Sequence, residues 1–463
     1  MLSRDEFYNQ RDRSTRQLGV VDDVVERPVG VIVSSTAADS RSGQVAAVAL
    51  VNMLGRVHRR IRLVVPPAPL IANPHHGGTN LVEALQNTIL AIDPFNEVSV
   101  VHSVDAIPAI SIGTHPTAGV WQIGAHGARA ILKNDSSEFP AADGSVLGAG
   151  LAACLGAAAL FRQAHGLGVS AHVVSAWNFS EGAEAVVGPL EIGPLDVGDV
   201  LIVGAGAVCS ALSYWLRVLG TAGKWDVVDK DHVTLDNTSR GLGMFAGDAG
   251  WNGSTPARKV DLIARDIGAT PHFAWYDEWI KEHDDARPDL VLPLANERAV
   301  RHLIACRYDP IVLHATTSQS WQAQFHRHIS GIDDCITCRM RDLKGGTLDC
   351  STGTIPASNG ESRDAALPFL SAAAGLLLTS NLYRLANGDL AGEALNHMCL
   401  DLSLGHRVVQ SSIWNCKDTC VNRVSPLALR RIAEGNRWSN VRSLTNQLSG
   451  RPDFSNDGKN TAQ

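Results

Sequence analysis

DVLIVGAGAVC, residues 199–209, is a β-branched apolar run that passes directly into a glycine turn. The run predicts a buried strand, and Ala207–Leu219 behind the turn predicts a helix. Gly204 and Gly206 let the backbone turn tightly and approach a phosphate, toward which the helix start offers free N–H groups. Cys209 stands where the usual fingerprint has its third glycine and is small enough for close helix–strand packing. Asp229, 23 residues after Gly206, ends the next strand, where a carboxylate can accept ribose hydroxyls. The turn alone does not separate NAD from ATP.

Strands and helical stretches alternate on both sides of this motif, which predicts an α/β protein with mostly parallel sheets covered on both faces. Downstream come strands Lys224–Asp231, HFAWYD, PDLVLPLA and PIVLHATTS, with helices Thr255–Ile267 and Glu297–Cys306 between them. Turn-rich sequence from Cys335 then gives way to an apolar helix over Ala365–Leu385. Upstream, Val29–Ser35, Ile61–Pro67, EVSVVHSV, Ala109–Gly113 and HVVSAWNFS read as strands of an earlier α/β unit, with helices Gly43–Leu54, Thr79–Leu90 and Val146–Ala164. Its first strand runs into Ser and Thr rather than a glycine turn. The expected organisation is an arginine-bearing amino-terminal helix (1–19), a first α/β domain (20–190), a Gly/Pro-rich connection, a second domain (199–438) and a polar tail (439–463).

At 463 residues, 45% apolar and 19% charged, the chain has material for two or three cores. A net charge of -7 with no basic block argues against nucleic acid as partner. The polar start is no secretory signal, and apolar stretches such as Val146–Phe161 are short for a span, so no membrane role and a cytoplasmic location are expected. Nine cysteines, four of them in short-spaced pairs, suit metal binding better than disulfides.

Those pairs, Cys335/Cys338 and Cys416/Cys420, can enclose one structural Zn²⁺ in a closed tetrahedral thiolate shell, with free thiols as the alternative. Cys350, twelve residues past Cys338 in GGTLDCSTGTIP, is a loop thiol available as a nucleophile. Cys154, Cys209, Cys306 and Cys399 read as packing cysteines, the last two on helices. Past Asp229, the run through Asp231, Asn237 and Arg240, together with Lys259, is a phosphate-holding set. Asp231 could approach Mg²⁺. A dehydrogenase needs no such clamp, and nothing after Asp229 supplies a hydride-transfer site. An enzyme that expels pyrophosphate does need one.

From Asp199 to about Arg384 this assembly resembles the activating enzymes of ubiquitin-like proteins and their bacterial relatives, the ThiF/MoeB-like adenylyltransferases of thiamine and molybdopterin synthesis. The resemblance implies tandem Rossmann-like adenylation-type domains, use of ATP and Mg²⁺, and adenylation of the C-terminal glycine carboxylate of a small ubiquitin-like β-grasp protein. It places ribose on Asp229, phosphates on Asn237, Arg240 and Lys259, and a thioester on Cys350, passed on to a conjugating enzyme. It adds Asn296 to the nucleotide site. Family members work as dimers or fused pseudo-dimers, and an arginine of an amino-terminal helix reaches the ATP. In YNQRDRSTRQLG the candidate is Arg13 or Arg16. Residues 20–190 would be the inactive half, and a further homodimer is possible. The branch it looks most like is that of bacterial antiviral ubiquitin-like conjugation systems. One departure is clear: the family's usual aspartate after the fourth strand is Ala295 here, leaving Asp231 or Glu297 for Mg²⁺. Sulfur transfer to a small carrier protein and a non-catalytic binding scaffold are the competing functional readings.

Overall fold

A computed structural model describes residues 1–12, 25–117, 119–139, 144–190, 192, 195–221, 223–307, 309, 311–329, 333–339, 352–356, 362–388, 395–417 and 420. Seven strands form the first sheet: β1 (Val29–Val33), β2 (Ile61–Val64), β3 (Ser99–Val100), β4 (Ala109–Ile112), β5 (Trp121–His126), β6 (Arg129–Lys133) and β7 (His172–Ser175). Their order is β3-β2-β1-β4-β5-β6-β7, parallel as far as β5 and antiparallel from there. The second sheet begins with β8 (Asp199–Val203), β9 (Lys224–Val228), β10 (Thr270–His272), β11 (Leu290–Pro293), β12 (Ile311–Ser318) and β13 (Gln322–Ile329). After a separate hairpin of β14 (Thr352–Pro356) and β15 (Ser362–Ala366), it ends with β16 (His397–Asp401) and β17 (Val409–Ser412). The order here is β10-β9-β8-β11-β12-β13-β16-β17.

Strand by strand the second sheet repeats the first, with β8 in the place of β1 and one more strand at the far edge. The helices follow suit. Arg41–Leu54 follows β1 as Ala207–Leu219 follows β8, and Val146–Ala164 precedes β7 as Pro368–Ala386 precedes β16. Within each unit the two helices pack together, Arg41–Leu54 on Val146–Ala164 and Ala207–Leu219 on Pro368–Ala386, and Val146–Ala164 and Pro368–Ala386 pack on one another. One continuous apolar core, from Val25 to Val409, therefore spans both units. Trp215 joins it and still finds a partner for its indole N–H, the carbonyl of Ala372 at 2.9 Å.

Val146–Ala164 is long and apolar enough to cross a membrane, but it is buried inside the protein as a central core helix. Leu147, Leu151, Leu155, Leu160 and Phe161 are almost completely shielded. At roughly 1.5–3 kcal/mol each, their burial contributes on the order of 10 kcal/mol before chain entropy is counted.

Several sequence-based boundaries shift. The helix expected from Thr255 starts at Lys259, because Arg258 is extended and bridges His232. HFAWYD is a strand only as far as His272. The chain then turns into the helix Tyr276–Glu282, where the Glu278 carboxylate accepts from the Trp275 amide. Cys399 lies on β16 rather than a helix, and Cys306 is exposed. Cys154 and Cys209 are buried as expected.

Candidate functional site

The strand Asp199–Val203 is paired on both sides, so the turn after it is held at the carboxyl edge of the sheet between β9 and β11. This is a topological switch point, where open α/β sheets bind ligands. A cavity of about 280 Å³ opens there. Gly204, Gly206, Asp229, Asp231, Asn237, Arg240, Lys259 and Asn296 all line it, as do Ala295, Glu297 and Arg301. Residues up to 113 positions apart in sequence, Gly204 to Thr317, thus meet at one crevice.

Gly204 has φ +97°, and a Cβ on it would stand 2.4 Å from the Ala295 nitrogen. The turn is pressed against the backbone of Ala295. Gly206 has φ -80°, and a Cβ there would meet nothing within 4 Å. Its open side belongs to the cavity. The Asp229 carboxylate accepts from the amides of Ala205 (2.7 Å) and Asp231 (2.8 Å), tying the turn to the end of β9. Burial raises the pKa of this carboxyl, and Lys259 opposes that shift.

The cations are paired in this state. Lys259 Nζ lies 2.6 Å from the exposed Asp231 carboxylate, while its own stem is buried. Arg240 folds back on Asp236 at 3.0 Å. Asn237 uses its Oδ1 to accept from the Thr234 amide, capping the short helix Leu235–Thr238. These contacts place the three side chains, and a polyanion entering the cavity would have to compete for Lys259 and Arg240.

The loop from Thr238 to Met244, which carries Arg240, is gripped from the first unit. Arg56 is buried and donates to the carbonyls of Thr238, Leu242 and Met244, and to Oδ1 of Asn52. Burial, with the nearby Arg11 charge, lowers its pKa to about 9, still well above neutrality, so the guanidinium is charged. Sequence reasoning missed Arg56, since a lone arginine at a helix end carries no signal of its own. Arg301 was missed too. It is buried at the cavity floor, with Nε 3.1 Å from the Ala295 carbonyl.

The amino-terminal helix is Arg4–Arg11, started by a Ser3/Glu6 capping box. Phe7 and Tyr8 pack with Phe95 and Trp251 and with Leu235, so this helix rests on the segment that holds Asn237. Arg13, Arg16, Cys350 and the tail 439–463 lie outside the described residues.

Cys335, Cys338, Cys416 and Cys420 converge, with all four sulfurs within 4.8 Å of one another. A tetrahedral zinc with Zn–S near 2.3 Å requires sulfurs about 3.8 Å apart. Cys335 and Cys420 stand at 3.6 Å. Burial pushes the Cys335 and Cys416 thiols up, Cys416 to about 12, so a divalent cation is the natural compensation for four thiolates here. This is a structural zinc site of four cysteines, closed to any further ligand.

Residues 186–412 match the model of the ThiF family. Solved structures of E. coli MccB are similar at low identity. MccB alone matches at 13% identity and TM-score 0.37, covering 68% of this chain and 96% of that one. MccB with ATP matches at 13% and 0.36, covering 67% and 99%. MccB with selenomethionyl MccA matches at 13% and 0.34, covering 50% and 68%. No curated protein matches the chain. These findings correct one expectation. The partner in such structures is MccA, not a ubiquitin-like β-grasp protein with a conjugating enzyme behind it, and the conjugation branch finds no support. Residues 186–412, just under half of the chain, carry its likeness to the ThiF family.

Proposed function

We propose that the chain activates the carboxylate of a peptide by ATP-dependent adenylylation in the cavity at the end of β8. The observation that carries this reading is the convergence of Gly206, Asp229, Asn237, Arg240, Lys259 and Asn296 on a single crevice. The open side of Gly206 and the free N–H groups of the following helix receive phosphate. Asp229 accepts the ribose. With Lys259 on a phosphate oxygen instead of Asp231, the carboxylates of Asp231 and Glu297, which both line the crevice, would be the residues to hold Mg²⁺ and offset phosphate charge. A carboxylate oxygen of the substrate then attacks the α-phosphorus. The bond to the β-phosphate oxygen breaks, and pyrophosphate leaves with the electron pair while Arg240 and Lys259 stabilise its charge.

The reaction needs only a free C-terminal carboxylate, and a peptide supplies one without a folded carrier. In this reading residues 20–190 are an inactive adenylation-like half. The matching crevice after β1 is lined by Ser34, Ser35 and Thr36 in place of a glycine turn, and no Lys or Arg is among the described residues lining it. A sulfur step could follow. Cys350 precedes β14 by two residues, and β14 lies against β12, whose Thr316 and Thr317 line the active crevice. Its thiolate would attack the acyl-adenylate carbonyl and expel AMP.

Calorimetric titration with Mg·ATP tests the core of the proposal. One site per chain is expected, and no binding would end it. Cys350→Ala should keep adenylate formation and lose only a thiol-labile adduct.

A further inference from the structure

Behind the cavity wall three imidazoles are stacked. His314 on β12 lies 4.4 Å from His326 and 5.2 Å from His328 on β13, with planes within 12°. His314 and His326 are directly opposed across the two strands, and His397 on β16 continues the row. All three stacked rings are buried.

Their hydrogen bonds run in two chains with fixed polarity, because an arginine can only donate. In the first, Arg301 donates to His314 Nδ1 (2.9 Å), so His314 carries its proton on Nε2 and donates to His328 Nε2 (3.0 Å). His328 then donates from Nδ1 to the Asp334 carbonyl (2.8 Å). In the second, Arg339 donates to His326 Nδ1 (2.8 Å), so His326 Nε2–H faces Thr316 Oγ1 at 3.3 Å. One end of each chain is a cavity residue. Arg301 holds the Ala295 carbonyl opposite Gly204, and Thr316 is part of the wall. The other end is the cysteine knuckle. Asp334 precedes Cys335, Arg339 follows Cys338, and Arg339 grips the Asp334 carboxylate. A rigid stack with both ends satisfied has one low-energy arrangement.

We propose that the metal knuckle sets the position of the cavity wall through this stack, so that zinc and nucleotide bind with positive coupling. His314, His326 and His328 are positioning residues. The inference rests on the cavity being the ATP site. Coupling between two sites is reciprocal and typically worth about 5- to 150-fold in affinity.

The test is zinc affinity of the full chain, measured by competition with a chelator of known affinity, with and without saturating Mg·ATP. In the wild type ATP should raise zinc affinity at least about fivefold. His328→Phe keeps a stacked ring but cuts the first chain, and Thr316→Val cuts the second far from the cysteines. Each should reduce the gain while one zinc per chain is retained. If His328→Phe fails to fold, His328→Gln, which can still donate to the Asp334 carbonyl, takes its place and should keep part of the gain. A wild type that binds ATP with no change in zinc affinity overturns the inference alone. So does a gain that survives in both cut variants. A wild type that binds no ATP overturns the reading of the cavity and this inference with it.

Discussion

Gly204 and Gly206 stand two residues apart and should fail in different ways when given the same methyl group. At Gly204 an alanine would have to hold φ near +97°, which costs roughly 1–2 kcal/mol for a residue with a Cβ. Its Cβ would also meet the Ala295 nitrogen at 2.4 Å and Cα at 2.6 Å, both backbone atoms of β11's exit. The turn must then move off, weakening the Ala295 N–H bond to the Val203 carbonyl, worth about 1 kcal/mol. Gly204→Ala should therefore destabilise the chain by about 2–4 kcal/mol. With an unfolding entropy of roughly 1 kcal/mol/K for a chain this long, melting should fall by about 2–4 °C. Gly206→Ala has an ordinary φ and no neighbour within 4 Å, so its stability should stay within about 0.5 kcal/mol of wild type. Its methyl group instead stands where a phosphate must approach, and Mg·ATP affinity should drop at least about tenfold, or 1.4 kcal/mol. Calorimetric melting and ATP titration on both variants separate the two effects. Unchanged ATP affinity in Gly206→Ala, or an unchanged melting point in Gly204→Ala, would refute the reasoning.

Arg56→Met should cost about 3 kcal/mol or more, since it strips donors from the buried carbonyls of Thr238, Leu242 and Met244, and should weaken ATP binding by loosening Arg240. Chemical denaturation beside ATP titration checks both. Cys416→Ser should lower bound zinc, read by metal analysis, and lower the melting temperature with it, because metal affinity at such a site is folding energy. Burial holds His76, His165 and His397 down to about 4, whereas in the unfolded chain they titrate near 6.5. The unfolded state therefore gains protons first as the pH falls. Stability should be full above about pH 7 and decline from roughly 6.5 toward 4, a trend melting scans across that range would show.

The α/β class and the turn at Gly204 were legible because a buried parallel strand is a short unbroken apolar run, and DVLIV is one. The cavity residues were legible because Asp229, Asn237, Arg240 and Lys259 keep a recognisable spacing from that turn. The four cysteines announced themselves by their pairs. What escaped has a common physical cause. β13 reads QAQFHRHI, so its polar letters suggest surface, yet His326, Arg327 and His328 are buried because each is hydrogen-bonded inside. Arg56 and Arg301 likewise work through backbone carbonyls that no sequence pattern reveals. The tandem of two such units came from the resemblance, and the strand order from β1 to β7 does recur in their counterparts. The ubiquitin-like partner was inferred from resemblance alone, and nothing in the described residues could have corrected it.

The central claim is carboxylate adenylylation, and exchange of labelled pyrophosphate into ATP tests it most directly. Two peptide pools should be compared, identical except that one carries free C-terminal carboxylates and the other C-terminal amides. Exchange with the free-carboxylate pool, its absence with the amidated pool, and its loss in Gly206→Ala are the expected results. A chain that binds Mg·ATP yet releases ADP and phosphate, or shows no exchange with either pool, would contradict the account.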